Sequence, residues 1–146
     1  MSLHEVEIAM AWLYGALTGD ATLTSLLASG AQGIWRAYAP PGTAPVYVIY
    51  GLQSGGNDTL TMNAVRLLTN PLYQVKAVGP AGSSMQSILD AASEIDNLLK
   101  RTSGTVAGGF VGVCYREQPL SVDELVNGEV WSNVGGMYRL QIQQTT

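Results

Sequence analysis

Pro45-Val46-Tyr47-Val48-Ile49-Tyr50, then Ser54-Gly55-Gly56-Asn57-Asp58, Leu72-Tyr73-Gln74-Val75-Lys76-Ala77-Val78 and the stretch Ser83 to Lys100 together decide the fold. The first run is apolar on both pleat faces, which suits a central strand covered on each side. In the third, Leu72, Gln74, Lys76 and Val78 alternate with Tyr73, Val75 and Ala77, so Gln74 and Lys76 fall on the face away from the main apolar row. Ser83 and Gln86 stand in capping-box relation. Met85, Ile88, Leu89, Ala92, Ile95 and Leu99 then recur on one helical face, while Asp90, Glu94 and Asn97 point elsewhere. Burying each larger side chain contributes about 1.5 to 3 kcal/mol before chain entropy is set against it. One stripe docks this helix on a sheet.

Ser2 and Glu5 form a second capping-box pair and predict a helix from Leu3 to about Leu17. Val6, Ala9, Met10, Leu13 and Leu17 make one stripe, and Ile8 and Trp12 fall nearly opposite it. Two apolar faces imply burial on both sides, under the same chain or a neighbouring subunit. Asp20 or Thr22 caps a short second helix through Leu26-Leu27, which Ser29-Gly30 closes. Ile34 to Tyr38 reads as a short strand, and Ala39-Pro40-Pro41-Gly42-Thr43 as a loop, because proline lacks the amide donor a ladder needs. Gly51 to Thr69 reads as a projecting hairpin with Asn57-Asp58 at a turn. Val106 to Arg116 reads as a strand whose Gly108, Gly109 and Gly112 mark bulges or close backbone contact. Met137 to Gln143 closes the fold, after a long connection from Leu120 to Gly136 of the kind that is often functional. The expectation is a single α+β domain over 1–146: a mostly antiparallel twisted sheet of about four to five strands, an N-terminal helix and one long amphipathic helix packed on it.

Hydrophobic residues make up 47% of the 146, enough for a packed core, while charged residues are only 12%, against a usual figure of about 25%. So low a charge fits either a permanent oligomer with apolar interfaces or an exterior rich in Ser, Thr, Asn, Gln and Gly. The net charge of −4, with no cationic run beyond Lys100-Arg101, argues against duplex binding by phosphate neutralisation. A single cysteine excludes an internal disulfide framework and a cysteine-based zinc site, and fits a reducing compartment. Met1-Ser2-Leu3-His4-Glu5 lacks the basic region of a secretory signal. Ile8 to Leu17 is too short to span a bilayer. A soluble, intracellular protein is expected.

Residues able to do chemistry are scarce. His4, the one histidine, lies in the first turn of the first helix. Cys114 alternates with Val113 and Tyr115 as a core residue does, and no second histidine exists to activate it. Asp90 and Glu94 share a solvated helix face, and Lys100 one turn on explains Asp96. Asp123, Glu124 and Glu129 lack the alternating oxygen ligands around a tight glycine that a metal loop requires. Ala107-Gly108-Gly109-Phe110-Val111-Gly112 lies within a strand reading, so it is no dinucleotide loop. Asn57-Asp58-Thr59 is a turn. No enzyme activity, cofactor or metal is expected.

The order of parts resembles the tail-terminator (tail completion) proteins of long-tailed bacteriophages. The likeness rests on the helix ending near Leu17, Asp20-Ala21-Thr22-Leu23 with Leu26-Leu27, Ile34-Trp35 with Pro40-Pro41, and the strand Pro45–Tyr50. It continues through Leu72-Tyr73-Gln74-Val75, the Ser83–Lys100 helix and the closing Gly136-Met137-Tyr138-Arg139-Leu140. The departures are the glycine cluster in the fourth long strand and the plain Glu117–Gly135 region.

The resemblance implies a six-membered ring on the head-proximal end of the tail tube, which stops tube growth and docks the head connector. A tube grows by heterologous, non-closing contacts, so a terminator must match the tube below and mismatch it above. Its expected partners are copies of itself, the tail tube protein, the head–tail connector protein and, in a contractile tail, the sheath protein. Genome DNA would pass without specific binding through a neutral or acidic lumen, not one ringed by Arg36, Arg66 or Arg116. Its expected place is the virion tail or neck, assembled in the host cytoplasm, with no membrane partner. Ile8 and Trp12 are the candidates for contact around the ring. Ser54, Asn57, Asp58, Leu60 and Met62, with Asp123, Glu124, Glu129 and Trp131, are the candidates for tube and connector contact. The alternatives are another neck component, such as a head-completion or connector ring, or a non-viral adaptor domain.

Overall fold

A computed structural model describes residues 4–144. The first helix, α1 (Glu5–Thr18), starts where His4 leaves extended backbone and its Nδ1 accepts from the Val6 amide at 3.1 Å. Ser2, the other half of the expected capping box, lies outside the described residues. Asp20 caps α2 (Ala21–Leu26) through Oδ2, accepting from the Leu23 amide at 2.9 Å. A 3-10 turn over Gly30–Gly33 leads into β1 (Ile34–Arg36). There follow β2 (Tyr47–Ser54), β3 (Asp58–Leu60), β4 (Arg66–Thr69), β5 (Leu72–Pro80), α3 (Ala81–Leu99), β6 (Arg101–Val106), β7 (Gly109–Val126) and β8 (Glu129–Gln144).

The eight strands of the described residues join one curled sheet, more than the four to five expected. β8 is its spine. One edge of β8 pairs with β5 and, through Thr69 and Ile142, with β4; the other pairs with β7 along its whole length. β2 lies outside β5, and β1 pairs with β2 in the sheet's parallel contact. β6 covers β7 only from Gly109 to Tyr115.

The three helices occupy one face of the sheet. Val48, Tyr73, Val75, Ala77, Tyr138, Leu140 and Ile142 point into them and are buried with Ile88, Ala91, Ile95 and Leu99 of α3. The opposite face carries Tyr47, Ile49, Gln74 and Lys76, all half-buried, so the central strand is closed on one side rather than two. Gln74 and Lys76 lie on the face expected of them.

Further expectations change. α3 begins at Ala81 with Pro80 as its cap and no side-chain capping bond, so Ser83 and Gln86 form no capping box. Proline is well placed there, because its fixed φ suits a helix start and a helix's first amides have no partner to lose. Ala91 replaces Leu89 in the buried stripe, and Met85 and Leu89 are exposed, because the sheet ends before that edge of the helix does. On α1, Glu5, Ile8, Ala9, Trp12, Leu13 and Leu17 make one broad buried stripe rather than two opposed faces.

The largest change concerns Leu120–Gly136. It is no loop but the distal half of a long hairpin, with Leu120 opposite Gly135 and Val126 opposite Glu129. Asn127 and Gly128 close it with φ of 50° and 79°, the signs a two-residue type I′ turn requires. Ala107-Gly108, expected within a strand running from Val106 to Arg116, is likewise a turn, joining β6 to β7. Gly112 sits at a register shift between Val111 and Val113, as a bulge residue does.

Candidate assembly surfaces

The residues with chemical potential are occupied in holding the fold. His4 caps α1. Cys114 is fully buried with its thiol 3.3 Å from the Leu99 carbonyl, and burial pushes its pKa up to about 12. Asp96 is held by Tyr138, whose hydroxyl donates to Oδ1 at 3.2 Å, and by Arg116 Nε at 3.5 Å, rather than by Lys100. Among the described residues no group of three or more His, Cys, Asp or Glu side chains is placed to hold a metal ion.

What the surface offers instead is two arms. The first is the β3–β4 hairpin, shorter than the expected Gly51–Thr69 projection but within it. Ser54, Asn57, Asp58, Leu60 and Met62 are all exposed on or beside it, and Met62 at the tip has no cover at all. Asp58 Oδ1 accepts from the Thr69 hydroxyl at 2.8 Å, and Gly56, at φ 70°, lies so close to the Asn70 carbonyl that a Cβ would overlap it. The arm's base is therefore fixed, and its tip is a turn closed by the Thr61 amide donating to the Val65 carbonyl at 2.8 Å and the Val65 amide to the Thr61 hydroxyl at 3.1 Å.

The second arm is the distal β7–β8 hairpin. Asp123 accepts from the Ser132 hydroxyl at 2.7 Å, and Glu124 from the Asn133 side-chain amide at 3.0 Å. Ser132 and Asn133 are buried, so these cross-strand bonds stiffen the arm. Trp131 is half-buried and packs on Tyr47 with ring centroids 6.4 Å apart. Glu129 is exposed beside the turn. Val122, Leu125, Val126 and Val130, absent from the expected set, are exposed here, and Leu52, Val65 and Leu67 are exposed on or beside the first arm. For the second arm, Asn127-Gly128 between apolar residues was the available signal.

Ile8 and Trp12, expected between subunits, are interior to the chain. Gly104 and Gly109 of the β6–β7 hairpin lie directly against them, with no room for a Cβ between. Gly104 and Gly109 thereby let one strand pair close over two large side chains, while Gly108 serves the turn and Gly112 the bulge. Of the three arginines weighed for a lumen, Arg66 pairs with Glu5 and Arg116 with Asp96, while Arg36 lies 3.3 Å from the Met10 sulfur.

No family model matches this sequence, and no curated protein is similar to it. Among solved structures, the chain is similar to one from the virion of a native gene transfer agent particle. The TM-score is 0.70 at 15% identity, over 97% of this chain and 99% of that one. A second solved chain, of no stated function, gives a TM-score of 0.59 at 15% identity over 93% of this chain and 95% of that one. The fold is thus shared from end to end with a chain of a virion particle.

Proposed function

We propose that this chain is a structural protein of a phage-like virion. Within that particle its role is to form a ring, six-membered by the resemblance, that caps the head-proximal end of the tail tube and docks the head connector. The observation that carries the reading is the likeness of fold to a virion chain over 97% of this chain and 99% of that one. The two arms agree with it. Stiff hairpins with exposed apolar side chains suit fitting against other proteins, and large exposed apolar patches mark such sites. The second arm, with Asp123, Glu124, Glu129 and Trp131, and the base of the first, with Ser54, Asn57 and Asp58, would meet the tube and the connector. Three of the seven cations are engaged by carboxylates, which suits a chain past which DNA slides without sticking.

Deleting the gene from its particle and measuring tail length by electron microscopy tests this. Overlong or headless tails support the terminator role. Tails of normal length joined to heads refute it. Tails of normal length left unjoined assign the chain to the connector side of the neck.

A further inference from the structure

The sheet has an open flank that its own chain does not fill. Beyond Tyr115, β7 loses its neighbour β6, and from Glu117 onward no strand pairs with its outer edge among the described residues. Between this edge and α3 runs a groove of about 370 Å³, lined by Leu89, Ala92, Asp96, Arg116, Leu120 and Val134. An exposed strand edge beside an apolar helix wall is the geometry that accepts an incoming segment of chain.

We infer that this groove receives the tip of the β3–β4 arm of a second copy, so that the arm joins neighbours around the ring. The inference rests on the ring reading above, and it moves Leu60 and Met62 from tube contact to contact between copies. Three observations select this occupant. First, position: the first arm and the open edge lie on opposite sides of the β8 spine, so a copy presents the plug on one flank and the socket on the other. Such a head-to-tail contact is heterologous and closes into a ring when the rotation permits. Second, charge: the tip from Thr59 to Val65 carries none, and Asp96 and Arg116 in the groove neutralise each other at 3.5 Å. The other apolar tip brings the carboxylates Asp123, Glu124 and Glu129 with it, and the one cation lining the groove, Arg116, is already paired with Asp96. Third, shape: Leu60 and Val65 are more than half exposed and Met62 wholly so. Methionine's unbranched thioether adapts to an irregular slot. Among the described residues β3 also has an unpaired outer edge, whose main-chain groups can complete that of β7.

Met62→Cys and Leu89→Cys, both at exposed positions, are prepared as separate chains, mixed, assembled and oxidised; buried Cys114 stays out of the reaction. A disulfide-linked pair in the mixture, with neither variant linking to itself alone, is the expected result. Leu60→Asp and Met62→Asp should each weaken self-association about tenfold or more while leaving the fold intact. Rings that form without the Met62–Leu89 cross-link, or that tolerate both aspartates, would overturn the inference and leave the ring reading standing. A chain that forms no ring either alone or in particles would overturn both.

Discussion

Arg66 of β4 reaches Glu5 in the first turn of α1, with Nη2 2.6 Å from Oε1 on a carboxylate side chain only 8% exposed. The contact is a close ion pair without an aligned hydrogen bond. The same Nη2 donates to Gln144 Oε1 at 2.8 Å, and Nη1 is 4.0 Å from Asp58. One guanidinium therefore ties the first arm to the start of the chain's first helix and to the end of its last strand.

Arg66→Ala strands a buried carboxylate, whereas Glu5→Gln removes the charge that needs a partner. Because Arg66 is 44% exposed, solvent screens part of the effect. The expected cost of Arg66→Ala is about 1 to 2 kcal/mol by urea unfolding, with Glu5→Gln cheaper. The double variant should be no worse than Arg66→Ala alone. Strict additivity would show that the pair is not coupled.

Gly104 sits against the Trp12 indole with no space for a methyl group. Gly104→Ala should cost about 1 to 3 kcal/mol, since the ring must shift in a packed core. Trp12→Leu alone should also destabilise, by leaving a cavity. Together the two should cost less than their sum, because each relieves the other. Additive melting shifts would mean that the β6–β7 hairpin does not close over α1 in this way.

The parts legible in the sequence are those with one dry face and one wet one. β5 and α3 show this periodicity, and Asp20 and Gly112 declare their roles through local backbone needs. The distal β7–β8 arm was not legible from periodicity because towards its tip both faces meet solvent: Val122, Leu125 and Val130 are exposed along with Glu129, and the buried positions beside them are the polar Ser132 and Asn133, so no alternation develops. Only Asn127-Gly128 marked it. What covers Ile8 and Trp12, the same chain or a neighbouring subunit, was not legible for a different reason. A helical wheel gives directions but not the identity of the neighbour, and here that neighbour is a hairpin about a hundred residues along the chain. The exposed edge of α3 was hidden because helical spacing continues past the end of the sheet.

Alkaline pH should unfold the protein. Burial raises the Cys114 pKa from 9.0 to about 12 and that of Tyr73 from 10.0 to about 12, and burial aided by Asp96 raises Tyr138 as well. Below pH 9 these groups are neutral in both states and their contribution is fully present. As pH climbs from 9 towards 12 the unfolded chain releases protons that the folded chain retains, so stability falls. Denaturation midpoints from pH 8 to 11 should show the decline, and Cys114→Ala should begin it later, near the onset of tyrosine ionisation. A thiol reagent should leave Cys114 unmodified in native protein at pH 8. Rapid labelling there would contradict its burial.

The second arm depends on a turn that only certain residues make. Gly128, at φ 79°, has open space around it, so a side chain there meets no clash but does meet the left-handed backbone penalty. That penalty is about 1 to 2 kcal/mol for an ordinary residue. Gly128→Val should therefore loosen the arm without unfolding the body, since the core lies at the other end of β7 and β8. Hydrogen exchange should accelerate for amides from Leu125 to Val130, beyond the β5 pairing that ends at Trp131, and stay slow for β5 and α3. Asn127→Gly, which also accepts positive φ, should leave exchange in the arm near that of the parent. If the arm meets the tube or connector as proposed, particles carrying Gly128→Val should join heads and tails less efficiently while the purified chain keeps its melting temperature to within a few degrees. Unchanged joining despite a loosened arm would remove Asp123, Glu124, Glu129 and Trp131 from that contact.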